Sequence, residues 1–264
     1  MVRLSAVFLA LAVCLGSFPA LATKVTGKIV VTPGFREALE LAARKSEEGQ
    51  ASSYWNEPNG LLPVEPPRVN PAVDLGVVLF QEGAPAPAPD SVATVPVRAA
   101  RLERSVVMVR PGSTLRFNNV DPFDHELYSP TVPAFEPERQ AKGAFRPIEF
   151  KAEGTYEVRC KMMPHFLGWV VAVPATLVLE LDKAGEFKLE DLAPGKYTIK
   201  VFHGGSWVHE ESFVVEDKRE QTLEFKLTGG KAAPDPAAGK PEDKKAASET
   251  VGPKAEGDSK PKAE

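Results

Sequence analysis

The sequence predicts an all-β protein made of two small sandwiches with one short helix, and three observations carry that reading. Strand-like stretches recur at short intervals through residues 91–173, apolar and polar residues alternate cleanly through residues 176–201, and only residues 35–45 combine helix-forming composition with one apolar face. A chain of 264 residues with 43% hydrophobic content and 25 prolines suits two modest cores joined by many turns. Its 36 acidic and 32 basic residues leave a formal net charge of −4. That balance argues against a chain built to hold nucleic acid or anionic lipid.

Residues 1–22 read as an export signal. Met1-Val-Arg3 is a short positive start, an apolar run follows to Gly16, and Ala20-Leu-Ala22 gives the small-x-small cleavage pattern before Thr23. Cys14 lies inside the apolar run behind Val13, where a lipoprotein signal wants a small residue, so lipidation is the weaker reading. Cleavage would remove Cys14 and leave Cys160 as the single thiol. The longest later apolar stretch, 166–181, is broken by Pro174 and is shorter than the roughly 20 residues of a membrane span. The expectation is a soluble exported protein, periplasmic or extracellular, with no membrane span.

Residues 23–90 hold a first strand at 24–31 and the helix at 35–45, with Phe35, Ala38, Leu39 and Ala42 on one face. A long loop at 46–70 follows, whose Tyr54 and Trp55 are expected to dock on a sheet, then a buried strand at 73–80 and a stiff Ala-Pro linker at 83–89. Residues 91–174 make the first sandwich, with strands expected at 92–97, 104–109, 114–118, 148–151, 155–160 and 169–173 and a wrapping loop, rich in Pro and charge, at 128–146. Residues 175–228 make the second. Roughly fifty residues are few for a full sandwich, which more often takes about a hundred, so strand 25–31 or 73–80 is expected to return and pair with it. Residues 229–264 are nearly all Ala, Lys, Pro, Glu, Gly and Asp. Such a segment cannot bury a core and is expected to be a disordered tail, a spacer or a weak tether to an envelope polymer.

Chemistry concentrates in two loops. Gly112-Ser-Thr-Leu-Arg-Phe117-Asn-Asn119-Val-Asp121-Pro-Phe-Asp-His125 ends a strand pattern with an Asn/Asp-rich turn and an imidazole. Tyr156-Glu-Val-Arg-Cys160-Lys-Met-Met163-Pro-His165-Phe follows another strand with a thiol, two thioethers and a second imidazole. Two His and one Cys from neighbouring loops of a sandwich are the trigonal ligand set of an electron-transfer copper site, usually with a weak axial Met. The candidate metal ligands are therefore His125, Cys160, His165 and Met163.

These motifs resemble the cupredoxin family, and plastocyanin-like proteins in particular. The resemblance implies a cupredoxin-like Greek-key sandwich holding one copper ion, and an unidentified periplasmic redox or copper-handling partner. The family's first loop reads Phe-x-Asn-x-Asp and then His, which this chain matches with Phe117, Asn119, Asp121 and His125. The second loop departs from the pattern. Aligned on Cys160, Pro164 and Gly168-Trp169, the family's histidine falls on Met163 and its axial methionine on Phe166, while the imidazole stands at His165, five positions after the cysteine. Glu126 also replaces the Asn that many members carry after the first His.

Three readings follow. The first is a blue, type 1-like centre with His125, Cys160 and His165 equatorial and Met162, Met163 or nothing axial, serving electron transfer. The second is a Cu(I) site, made softer by the thioethers and suited to copper carriage or storage. The third is a degenerate, metal-free site in which Met163 and Phe166 pack the end of a structural or binding module of the envelope.

Beyond Pro174, Asp182-x-x-Gly185-x-Phe187 followed by Leu192-x-Pro194-Gly195-x-Tyr197 resembles the carboxypeptidase regulatory-like, transthyretin-like sandwich. That resemblance implies a fold and no chemistry. His203 and His209, across a Gly-Gly turn, read as solvated turn residues. No Gly-x-Ser-x-Gly elbow or phosphate-binding loop occurs, and neither His125 nor His209 has a second His four residues later. The expectation is a protein that is not an enzyme.

Overall fold

The computed structural model describes residues 23–48, 68–130 and 135–229. The expected export signal, the loop with Tyr54 and Trp55, and the tail beyond Gly229 lie outside the described residues. The chain opens with β1 (Thr23–Val31), α1 (Pro33–Glu48), the one-turn α2 (Pro71–Asp74) and β2 (Gly76–Gln81). Then come β3 (Ala93–Arg98), β4 (Arg101–Leu102), β5 (Val106–Val109), β6 (Ser113–Asn119), β7 (His125–Ser129), β8 (Phe135–Gln140), β9 (Phe145–Phe150), β10 (Gly154–Cys160) and β11 (Gly168–Ala172). The last five strands are β12 (Leu177–Leu179), β13 (Glu186–Leu192), β14 (Gly195–His203), β15 (Ser206–Val215) and β16 (Glu220–Leu227).

Four sheets pair into two sandwiches, as an all-β chain of alternating strands requires to bury one face of each sheet. One sandwich packs β13-β1-β16 on β12-β2-β14-β15 around Val25, Ile29, Leu79, Phe187, Tyr197 and Ile199. The other packs β5-β11-β10-β7-β8 on β4-β3-β6-β9 around Val97, Phe117, Leu127, Phe150 and Val158. Both early strands, β1 and β2, pair with strands after Leu177: β1 lies between β13 and β16, and β2 between β12 and β14.

The near-continuous apolar run of β2 has a physical reason, because both its faces are covered. Val77 and Leu79 enter the core of the sandwich that contains β1, while Val78 joins Val106, Val171, Phe202 and Trp207 in a third apolar cluster between the sandwiches. A Cβ at Gly76 would fall 2.6 Å from Val106 Cγ1. Glycine at that position is what lets β2 approach β5. A tyrosine hydroxyl pins each sandwich: Tyr156 donates to Ala152 O at 2.9 Å and Tyr197 to Ala193 O at 2.9 Å.

The structure differs from the sequence reading in several places. The stretch expected to start a strand at residue 73 first makes α2, because Asn70 caps it by accepting from Ala72 N at 3.3 Å and Pro71 presets the first turn. The segment expected to be a wrapping loop at 128–146 holds β8, an edge strand paired with β7. Its charges point outward while Gln140 is buried, so its composition resembled a loop. Finally, α1 extends past the expected residue 45, and at its start Thr32 Oγ1 accepts from Phe35 N at 3.3 Å. Among the described residues no helix is long and apolar enough to cross a membrane.

Candidate metal centre

Adjacent antiparallel strands bring the two loops to one end of the sandwich formed by β3–β11. β10 ends at Cys160 and β7 begins at His125, with Cys160 opposite Leu127 and Arg159 opposite Tyr128. The two-residue period of a strand turns Tyr156, Val158 and Cys160 inward on β10, and His125, Leu127 and Ser129 inward on β7. His125 is fully buried and Cys160 nearly so. Cys160 Sγ lies 3.6 Å from His125 Nδ1.

Second contacts fix both groups. Asp121 Oδ2 lies 3.0 Å from His125 Nε2. With the carboxylate ionised, Nε2 carries the hydrogen and donates it, so Nδ1 turns its lone pair toward the sulfur. The amide of Glu126 donates to Cys160 Sγ at 3.4 Å. That bond comes from the backbone, so the change of Asn to Glu126 does not remove it.

Asp121 is itself tied down. Its carboxylate accepts from Ala99 N at 2.6 Å and Ala100 N at 2.9 Å. Both alanines have φ of 54°, the left-handed pair of a tight β3–β4 hairpin that turns successive amides to one side. Burial pushes the Asp121 carboxyl up, but the hydrogen bonds from Ala100, Ala99 and His125 outweigh it and hold the group below its ordinary value of 3.8. Asn119 completes the turn, accepting from Asp121 N at 3.0 Å and donating to Phe123 O and Gln140 O at 2.8 and 2.9 Å.

The second loop divides its donors between inside and outside. Met163 N donates to Cys160 O at 3.3 Å and Phe166 N to Met163 O at 2.9 Å, two successive turns after the strand. Met163 packs, half-buried, against the cluster that contains Cys160 and Phe166. Phe166 is fully buried and meets the His125 ring edge-on at 5.9 Å, with Phe123 on the same ring at 5.2 Å. His165 and Met162 are exposed. The structure thus brings His125 and Cys160 together, packs Met163 against the core cluster to which Cys160 belongs and leaves His165 exposed. Among the described residues no group of three or more His, Cys, Asp or Glu is placed to hold a metal ion.

Asp121 and Phe166 matter to the site although neither was a candidate ligand. The spacing of Asp121 four residues before His125 was the available signal for the first; for Phe166 it was the position aligned with the family's axial methionine, which the metal-free reading took to pack the end of the sandwich. His203 and His209 are not solvated turn residues. His203 stacks edge-on with Phe35 at 5.8 Å, and His209 meets Glu211 Oε2 at 3.2 Å and the Phe225 ring at 6.4 Å.

The pair fits a soft ion. A metal–thiolate bond of about 2.3 Å and a metal–imidazole bond of about 2.0 Å, the values for zinc, span about 3.5–3.8 Å when they meet between tetrahedral and trigonal angles. The observed 3.6 Å separation lies in that interval. Among the described residues the two-His, one-Cys set is not assembled into one three-donor group.

No protein-family model matches the chain, and no curated protein matches it. Solved structures of amicyanin are similar to part of it. A reduced Cu(I) form of one amicyanin variant, taken at pH 4, is 20% identical, covers 33% of this chain and 92% of its own, and has a TM-score of 0.30. The oxidized form of another variant is 20% identical over 38% of this chain and 99% of its own, with a TM-score of 0.29. Likenesses this low leave the chemistry to be read from the side chains themselves.

Proposed function

We propose that this protein is an exported, cupredoxin-like copper carrier that holds Cu(I) through His125 Nδ1 and Cys160 Sγ, with the Met163 thioether as third donor. The observation that carries this reading is the aim of the two buried groups at each other across 3.6 Å, with the far nitrogen of the imidazole tied to Asp121. A thiolate, one imidazole and a thioether form a soft set that favours the reduced ion. Cys160 gives up its thiol proton on binding, His125 stays neutral with its hydrogen on Nε2, and Phe166 and Phe123 keep water from the imidazole face. Copper, when bound, would supply an ion for handover to a periplasmic copper-handling protein. Among the described residues His165 forms no three-donor group with His125 and Cys160, which argues against the type 1 electron-transfer centre.

A metal-free module is the second reading. It is favoured by the absence of a three-donor group among the described residues and by the close fit of Phe166 over His125, and in it the Cys160 thiol hydrogen-bonds weakly to Nδ1. In either case the proposed role is not enzymatic, and the seven-stranded sandwich is an accessory module of the carboxypeptidase regulatory-like type. The Asp182 turn, whose carboxylate accepts from Ala184 N and Glu186 N at 2.8 Å each, and the Tyr197 hydroxyl bond support that assignment.

A competition titration of Cu(I) against a chromogenic chelator separates the two. One equivalent retained by the unaltered chain and by His165→Ala, and lost in Cys160→Ser, supports the carrier. No retention by the unaltered chain leaves the metal-free module.

A further inference from the structure

Few donors converge where β7 and β10 bury their thiol and imidazole. His125 is fully buried and Cys160 nearly so, with Nδ1 and Sγ 3.6 Å apart. The acids nearby are engaged elsewhere. Asp121 sits on the far nitrogen of the ring, and its carboxylate also accepts from Ala99 N and Ala100 N. Asp124 pairs with Arg139. Glu126 falls between the inward-facing His125 and Leu127, so the two-residue period sends its carboxylate to the other face of β7. His165 is exposed. Among the described residues no third His, Cys, Asp or Glu completes a group with the pair.

What the second loop sends against the imidazole is a ring with no lone pair to give. Phe166 is fully buried, meets the His125 ring edge-on at 5.9 Å and shares one apolar cluster with Cys160 and Met163. Its amide donates to Met163 O at 2.9 Å, which fixes the turn that carries it. Phe123 lies against the same ring at 5.2 Å. An ion held by this buried pair finds few protein donors and little water to make up the number. That shortage divides the metals. Zn(II) is held almost always by four ligands, and Co(II), its usual spectroscopic substitute, takes the same geometry. Soft monovalent ions such as Cu(I) and Ag(I) favour thiolate and thioether and are held by two or three donors.

We propose that the site selects soft monovalent cations, Cu(I) and Ag(I), over Zn(II) and Co(II), and that Phe166 sets this selectivity by denying the ion a further donor. The inference rests on the carrier reading of His125 and Cys160 and adds to it the class of ion carried.

The test is a set of calorimetric titrations of the reduced chain with Ag(I), Zn(II) and Co(II), with the visible absorption of a tetrahedral thiolate site as a second readout for Co(II). Binding is counted as the part lost in Cys160→Ser. The unaltered chain should take one equivalent of Ag(I) and give no Co(II) absorption. Phe166→His should lower the Zn(II) Kd at least about tenfold and bring up the Co(II) absorption, whereas Phe166→Leu, apolar and without a donor, should do neither. Zn(II) held by the unaltered chain as tightly as Ag(I) would overturn the selectivity and leave the carrier reading standing, and this comparison holds whether or not Phe166→His folds. Equal Zn(II) affinity in the unaltered chain and in a folded Phe166→His would overturn the role of Phe166. Refusal of Ag(I) by the unaltered chain would overturn the carrier reading and the selectivity together.

Discussion

At Asp121 one carboxylate joins three parts of the fold: the Ala99–Ala100 turn, Asn119 and the His125 ring. Replacing it by Asn halves the acceptors and removes the charge that keeps the imidazole hydrogen on Nε2. Asp121→Asn should lower Cu(I) affinity about 10–100-fold, the usual cost of losing an outer partner of a metal-ligating histidine, while Asp124→Asn, paired with the exposed Arg139, should not. Chelator competition on the two variants checks this. His203 gives a pH prediction. Burial pushes its imidazole below the ordinary value of 6.5, with Asp74 opposing weakly. The unfolded chain therefore takes up this proton more readily, so stability is fully present above pH 6.5 and falls as pH drops toward the lower folded value. Denaturant titrations of His203→Gln should lack that component. At this scale the sequence was legible for His125 and Cys160, which strand ends and residue chemistry marked. It was silent on the exposure of His165, because the direction of a side chain within a seven-residue loop depends on what fills the end of the core, and here that is Phe166.

Period-2 burial made β10 readable from Tyr156, Val158 and Cys160 alone. β8 lacked that signal because an edge strand needs only one buried face and carries charge on the other. That an early strand returns to residues 175–228 was expected from the shortage of residues there, but the partners and register of β1 were beyond a local reading. Its partners lie about 160 and 195 positions away, and no window of sequence relates Gly27 to Phe187. That contact sets a prediction for the element: Gly27 stands opposite Phe187, and a Cβ there would sit 2.0 Å from the ring tip. Phe187 is buried and cannot swing away. Gly27→Ala should therefore destabilise the chain by about 1–3 kcal/mol, the cost of overpacking a core, as read by chemical denaturation. A change below about 0.5 kcal/mol, ordinary for a surface site, would show that the ring moves freely.

Across the whole molecule, the third apolar cluster makes the two sandwiches continuous. Val78 and Phe202 from one meet Val106 and Val171 from the other, with Trp207 and Trp169 stacked edge-on against Phe202. A joint of that kind resembles a core more than a wet domain contact, so calorimetry should find one cooperative transition, and Trp207→Ala should lower its midpoint; two separate transitions in the unaltered chain would mean that the joint contributes little. This continuity was not legible in the alternation of single strands, since it needs β2 to be buried on both faces. The central claim concerns the sandwich formed by β3–β11, where a buried thiol and imidazole face each other. X-ray absorption at the copper edge of the Cu(I)-loaded chain tests it most directly. The account expects a shell with sulfur at about 2.3 Å beside an imidazole nitrogen at about 2.0 Å, with the sulfur contribution reduced in Cys160→Ser. A shell of nitrogen and oxygen alone, unchanged by that substitution, would contradict it.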